Sequence, residues 1–313
     1  MTQWKIILAY DGTPFHGWQV QPDLSTIQGN LADAIYRIAR ERVLPQGSGR
    51  TDAGVHALGQ VATFALDAPI PPANLHRALN RCLPASIRVL SAEIVPPDFH
   101  ARHSAIRKTY EYRIFPIQGF RPPQFRRDGG AEGVSGTRDL ICPPTLAPFV
   151  WPCPWPLDLT ALNRAAQHVL GTHDFTTFAA SDPDLAARST TSCLAPNAPG
   201  TGLSGAEEHG RVDFAAPEPH KTPVRSITHS EWHSEYGMLI YRVTATGFLH
   251  HMVRNLVGTF VQCGADRLDP DSVPTLIAAR NRSVAGPTAP STGLFLVDVV
   301  YPDPEPSIMN PRT

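Results

Sequence analysis

Residues 47–56 read Gly47-Ser48-Gly49-Arg50-Thr51-Asp52-Ala53-Gly54-Val55-His56, or GSGRTDAGVH. A glycine-rich backbone permits a sharp turn and lets a large group come close. The spacing is not that of a phosphate loop, which needs G-x-x-x-x-G-K-[ST]. Arg50 and Asp52 are offset by two, so on an extended backbone their side chains share one side. The apolar run Val61 to Leu66 follows, and a rigid element beside a loop can aim a side chain into a cleft. A lone G-x-D usually only caps a turn. The rest of the chain has to decide whether Asp52 caps or works.

At 313 residues the chain is long enough for one large domain or two ordinary ones, each with a sizeable core. Hydrophobic residues make up 42% and charged residues 18%, the balance of a globular protein. Formal net charge is -1, so any nucleic-acid site must be a local patch and not a property of the whole surface. Five cysteines (Cys82, Cys142, Cys153, Cys193, Cys263) are scattered without a C-x-x-C pair. That pattern argues against a zinc site and a disulfide framework, and for free thiols in a reducing compartment. The N-terminal apolar run is too short for a signal-peptide core, and no run of ~18 apolar residues occurs. The expected location is the cytoplasm.

Periodicity and turn chemistry lay out the elements. Trp4 to Tyr10 reads as a buried strand closed by Asp11-Gly12. A helix begins near Ser25, where Ser25-Thr26-Ile27-Gln28 fits a capping box and Ile27, Leu31, Ile35 and Ile38 share a stripe. Leu75, Leu79 and Leu83 predict a short helix that Pro84 ends. Ile87 to Val95 and Thr109 to Phe115 read as strands, with Tyr110, Tyr112 and Ile114 on one face. Asp158 to Leu170 reads as a helix stopped by Gly171. Ser226 to Ser234 and Met238 to Thr246 form an expected hairpin turning at Tyr236-Gly237. Phe248 to Cys263 is an expected helix capped by Gly264, Asp269-Pro270 opens another, and Gly293 to Tyr301 is a closing strand. Helices and strands without strict alternation predict an α+β fold with a largely antiparallel sheet. The expected organisation is an N-terminal half (1–115), a Pro/Gly/Arg-rich connecting loop without regular elements (116–156), a C-terminal half (157–302) with an irregular insertion (181–222), and a tail (303–313).

Gly49 to Ala57, G-R-T-D-A-G-V-H-A, resembles the signature of the tRNA pseudouridine synthase A family. Further stretches match in the family's order: Tyr10-Asp11-Gly12 with Gly17-Trp18-Gln19 and Gln21; Phe99-His100-Ala101-Arg102 with Ser104-Ala105; and Lys108-Thr109-Tyr110-Glu111-Tyr112. Then come Gly171-Thr172-His173-Asp174-Phe175 with Phe178, Gly247-Phe248-Leu249, His251-Met252-Val253-Arg254-Asn255, Ala289-Pro290 and Gly293-Leu294. The resemblance runs from about Lys5 to Tyr301. Two segments, 118–153 and 181–221, are longer than the family's pattern.

The resemblance implies the pseudouridine synthase fold: two halves with a mixed, largely antiparallel central sheet flanked by helices, and an RNA-binding cleft between them. It implies isomerisation of uridine to pseudouridine at positions 38, 39 and 40 of the tRNA anticodon stem-loop, by a homodimer without a cofactor. By motif position Asp52 is the catalytic nucleophile, Arg254 its ion-pair partner, Tyr110 the ring that meets the uracil, and Arg50 a group that holds the flipped nucleotide. The chemistry suits these residues. Only an ionised carboxylate can attack or steady an oxocarbenium-like sugar, and a nearby arginine lowers a carboxylate pKa by about 1–3 units.

Substrate RNA requires positive charge. Between residues 102 and 127 the charged residues are Arg102, Arg107, Lys108, Arg113, Arg121, Arg126 and Arg127 against Glu111 alone. Arg37, Arg40 and Arg42, beside Lys5, extend the expected patch. The histidine pairs, including His250 with His251, do not have metalloenzyme spacing, and adjacent histidines on a helix point apart, so no metal is expected. Two rival readings stay open: a tRNA-binding protein or chaperone without chemistry, and a hydrolase pairing Asp52 with Asp11 at roughly 5–9.5 Å.

Overall fold

A computed structural model describes residues 1–118, 140–180 and 222–302, together with the backbone of 120–121. The strands in chain order are β1 (Thr2–Tyr10), β2 (Gln46–Gly47), β3 (His56–Leu66), β4 (Ile87–Ile94), β5 (Arg107–Pro116) and β6 (Phe120–Arg121). They continue as β7 (Trp151–Cys153), β8 (Leu157–Asp158), β9 (Gly171–Asp174), β10 (Val224–Glu235), β11 (Met238–Ala245) and β12 (Leu294–Val300). The helices are α1 (Ile27–Ala39), α2 (Pro72–Cys82), α3 (Leu159–Gln167), α4 (Met252–Gly264) and α5 (Val273–Ala279).

The main sheet runs β4-β1-β3-β12-β5-β11-β10-β9, with β2 added to β3 and β7 to β5. Pairing in it is antiparallel except at β12–β3 and β5–β7, so the mixed, largely antiparallel α+β expectation stands. The last strand, β12, lies between β3 and β5 and stitches strands from both ends of the chain into one sheet.

One face of the sheet is covered by helices. In β1, alternation buries Trp4, Ile6, Leu8 and Tyr10, which join Leu31 and Ile35 of α1 and Leu75 and Leu79 of α2 in the core. Further along the sheet, Tyr241 stacks on Trp232 with ring centroids 5.0 Å apart and meets Phe260 of α4 at 5.4 Å. Tyr10, Ala57, Leu296, Tyr110 and Val243 form one row across five neighbouring strands of this covered face. Lys5 falls on the opposite face, where its ammonium pairs with Glu93 at 2.8 Å and sits over the rings of Phe99 and Tyr301. Alternation along β1 therefore separates Lys5 from α1 and its arginines.

Several boundaries differ from the sequence expectation. Thr26, not Ser25, caps α1, accepting from Gly29 N at 3.2 Å. Gln28 makes no capping box, because its amide is buried and bridges Val20 N and Pro45 O. Helix α3 stops at Gln167, and Gly171, at φ +96°, starts a strand instead. The segment 116–156 is not wholly irregular: β7 adds to β5, and a 3-10 turn covers Ala147–Phe149. Asp269-Pro270 opens a 3-10 turn ahead of α5. Helix α4 begins at Met252, four residues later than expected, because His251 adopts φ +57°. The hairpin turns as expected, with Tyr236 and Gly237 both at positive φ as a primed two-residue turn requires. The insertion 181–221 with Cys193, the arginines Arg126 and Arg127, and the tail 303–313 lie outside the described residues.

Gly258 shows how closely α4 is seated. A Cβ there would stand 1.7 Å from the Pro287 carbonyl oxygen, a backbone atom that cannot swing aside. Gly258→Ala is expected to lower stability by about 3 kcal/mol. Urea unfolding measures it, and an unchanged midpoint would show that the 286–290 strap yields.

Candidate active site

The loop 48–55 joins β2 to β3 and is clamped from several sides. Ser48 Oγ donates to Gln60 Oε1 at 2.6 Å, and Gln60 Nε2 donates to Gly49 O at 2.9 Å. The Lys108 ammonium, from β5, donates to Ser48 O. The hydroxyls of Tyr10 and Thr51 meet at 2.8 Å, and Trp18 N donates to Thr51 O at 3.0 Å. Val55 N donates back to Asp52 O at 3.1 Å, with Gly54 at φ +76° completing the turn. Two of the glycines are required by contacts within the protein. A Cβ on Gly47 would enter the Trp18 ring at 2.6 Å, and one on Gly54 would meet Ser291 Oγ at 2.8 Å.

Asp52 does not use its side chain to cap the turn. Arg254 Nη1, from the first turn of α4, donates to Asp52 Oδ2 at 3.0 Å. Arg254 is itself fixed to the strap: its Nε donates to Ala289 O at 2.8 Å, and Ala289 N donates to Arg254 O at 3.1 Å. His251 Nε2 lies 3.1 Å from the same Oδ2, and His250 Nε2 lies 3.6 Å from Oδ1. Burial pushes the Asp52 carboxyl up, but hydrogen bonds and charge from His251 and Arg254 outweigh it and hold the pKa below the ordinary value. Asp52 is therefore charged at neutral pH.

Tyr110 stands in the central row of the covered face, its ring edge-on to Phe248 with centroids 5.0 Å apart. Burial, with Tyr10 and Asp52 nearby, raises its phenol well above the ordinary range, so the hydroxyl keeps its proton. That favours Tyr110 as a hydrogen-bond donor and apolar platform over a base. Arg50 is exposed on the loop beside Asp52. Arg102 and Arg107 are exposed as well. Lys108 is committed in part to the Ser48 carbonyl, and Arg113 to Glu111 at 2.8 Å. Glu111 also takes Arg242 at 2.9 Å, so the one acidic residue of the counted stretch is shared between two arginines within the sheet. Of Arg121 only the backbone is described, as the second residue of β6. Arg42 lies over the Tyr36 ring at 4.7 Å.

Asp11 is placed for other duties. Its Oδ1 accepts from Thr13 N at 2.9 Å and lies 3.3 Å from His56 Nδ1. The buried His56 ring stacks on Phe295 at 4.6 Å.

The sequence reading missed His250 and His251 because it put them on a helix. The turn before α4 instead stacks their rings, with centroids 4.0 Å apart, against Asp52. Among the described residues these three offer donor atoms within 4.8 Å of one another, a spacing that a cation could bridge. The Arg254 guanidinium occupies Oδ2, so a cation would have to displace a fixed positive charge. The geometry is that of a hydrogen-bonded carboxylate.

Comparison with known proteins gives the family. The sequence model described as tRNA pseudouridine synthase matches residues 6–104 and 208–302. The chain belongs to the tRNA pseudouridine synthase family. A relative from Solibacter usitatus named tRNA pseudouridine synthase A is 42% identical over 96% of this chain and 100% of its own length. Relatives of the same name from Maridesulfovibrio salexigens and Moorella thermoacetica are 36% and 38% identical. They cover 96% and 95% of this chain, and 91% and 98% of their own lengths, respectively.

The depressed Asp52 pKa carries a stability consequence of definite sign. A carboxylate whose folded pKa lies below its unfolded value, ~3.9, contributes stability above that pH and loses it as pH falls through the folded value. Replacing Arg254 by Met is expected to destabilise most near neutral pH, with the gap to wild type shrinking as pH drops below ~4. Urea unfolding over a pH series tests this, and a gap independent of pH would contradict it.

Proposed function

We propose that this chain isomerises uridine to pseudouridine in tRNA, with Asp52 as the one catalytic carboxylate and without a cofactor. The observation that carries the reading is the charged Asp52, held by Arg254 at 3.0 Å and near enough to Tyr110 to help raise its phenol pKa. The relatives' shared name, tRNA pseudouridine synthase A, supports the reaction and the substrate. On this reading the C1′–N1 bond breaks, the uracil turns, and C5 bonds to C1′. The C5 proton leaves and N1 gains one, so the isomerisation balances without an external donor or acceptor. Asp52, as the anion, adds to or steadies the electron-poor sugar. Tyr110 offers its ring and its retained proton to the turning base. Arg50, exposed beside the carboxylate, holds the flipped nucleotide, whose unstacking costs a few kcal/mol.

The targets on this reading are positions 38, 39 and 40 of the anticodon stem-loop. The enzyme works as a homodimer in the cytoplasm, with two halves (1–115 and 157–302) flanking the cleft, and Arg102 and Arg107 meeting phosphates. Two observations are in keeping with a soluble enzyme in a reducing compartment. Cys82, Cys142, Cys153 and Cys263 are free thiols, and no helix among the described residues is long and apolar enough to cross a membrane.

Incubation with tRNA tritiated at uridine C5 tests the proposal. The wild type is expected to release tritium to water while the uracil stays in the chain. Asp52→Ala is expected to keep tRNA affinity within about twofold and lose at least ~10³ in turnover, as removal of a covalent catalyst does. Free uracil would indicate a hydrolase, and equal behaviour of both proteins a binder without chemistry.

A further inference from the structure

We infer that His251 is a positioning residue for Asp52: it reserves Oδ2 as the held oxygen, together with Arg254, and leaves Oδ1 as the oxygen that faces the reaction. The inference rests on the reading of Asp52 as the catalytic carboxylate.

Two independent observations carry it. The first is the donor geometry. Oδ2 has His251 Nε2 at 3.1 Å and Arg254 Nη1 at 3.0 Å, whereas Oδ1 has His250 Nε2 at the longer 3.6 Å. A carboxylate oxygen accepts only, so His251 Nε2 carries the proton of that bond. Two donors from one helix terminus fix the rotation of the carboxylate and not merely its charge.

The second is the backbone. His251 sits at φ +57° at the N-cap of α4, where an extended conformation is the rule. Arg40 and Arg280, also at positive φ, are helix C-caps, and Tyr236 lies in a hairpin turn, so each has an ordinary reason for it. His251 makes no capping hydrogen bond with its side chain. The left-handed turn instead brings the two rings together at 4.0 Å and directs both Nε2 atoms to one carboxylate. A strained residue held beside reactive groups points to a role in the site.

The charged and titratable groups facing Asp52 are His250, His251 and Arg254 at the start of α4, and Tyr110 from β5. Of these, His251 and Arg254 lower the Asp52 pKa, so loss of either moves the acid limb of activity in a definite direction.

His251→Asn and His251→Gly both suit a left-handed backbone and remove the bond, and His251→Gln retains a donor of similar reach. In Asn and Gly variants, the Asp52 carboxyl, followed by ¹³C NMR of the free protein, is expected to titrate at higher pH than in wild type. Their kcat for tritium release from C5-labelled tRNA is expected to fall roughly tenfold to a hundredfold, as small misplacements of a reacting group do. The acid limb of their pH profile should move up and tRNA affinity stay within about twofold, with Gln recovering part of kcat. Wild-type kcat and an unmoved Asp52 titration in a folded Asn or Gly variant overturn the inference. Failure of wild type to release tritium overturns the proposed reaction instead, and the NMR titration still judges the His251–Asp52 bond.

Discussion

The structure turns on one partly buried ion pair between residues 202 positions apart, Asp52 on the β2–β3 loop and Arg254 on α4. A carboxylate withdrawn from water needs partners, and removing one partner leaves an uncompensated charge. That requirement couples elements that are distant in sequence. Arg254 holds Asp52 with one nitrogen and the Ala289 carbonyl with another, so loop, helix and the strap leading to β12 are fixed relative to each other. β12 then inserts between β3, which follows the Asp52 loop, and β5, which carries Tyr110. The sheet and the ion pair enforce the same placement by independent means.

Environment separates the roles of the two central acids. Asp52 and Tyr110 are both withdrawn from water, and burial alone would raise both pKa values. Asp52 escapes because donors converge on it; Tyr110 gains nothing comparable, and the anion beside it raises its pKa further. One group is thus fixed as a base form and the other as an acid form at neutral pH. Divergent shifts of neighbouring groups are what assigns acid and base duties.

Much of this was legible in the sequence because it follows local rules. An apolar run closed by Asp11-Gly12 located β1, period-two alternation put Tyr110, Tyr112 and Ile114 of β5 on one face, and the Tyr236-Gly237 turn marked the hairpin. The family resemblance named Asp52, Arg254, Tyr110 and Arg50, and the structure brings Asp52 and Arg254 into contact. What stayed hidden depends on tertiary geometry. No local signal says that His251 takes a left-handed conformation, so Phe248 to His251 passed for helix and the histidines seemed to diverge. Nor does composition reveal that Glu111 is shared by Arg113 and Arg242, or that Lys108 turns to the Ser48 carbonyl, so a count of basic residues does not say which of them face outward. The two glycines flanking the Asp52 loop fit a ligand-approach reading as well as a packing one until Trp18 and Ser291 are placed beside them.

The clamp beneath the loop explains why Asp52 can be aimed from an irregular segment at all. Loops are ordinarily the least constrained parts of a fold, and a catalytic group tolerates little displacement. Here Gln60 bonds both Ser48 and Gly49, Tyr10 bonds Thr51, and Lys108 crosses from β5 to hold Ser48, so strands β3, β1 and β5 each contribute a tether. Gln60 and Tyr10 are buried, and a buried polar group without its partner is costly, so these tethers cannot exchange for water. The loop therefore inherits the rigidity of the sheet below it while its upper side stays open. Asp52 is thus fixed from beneath by backbone and from the side by Arg254, and on the proposed reading Oδ1, with its longer contact to His250, is the oxygen left for chemistry.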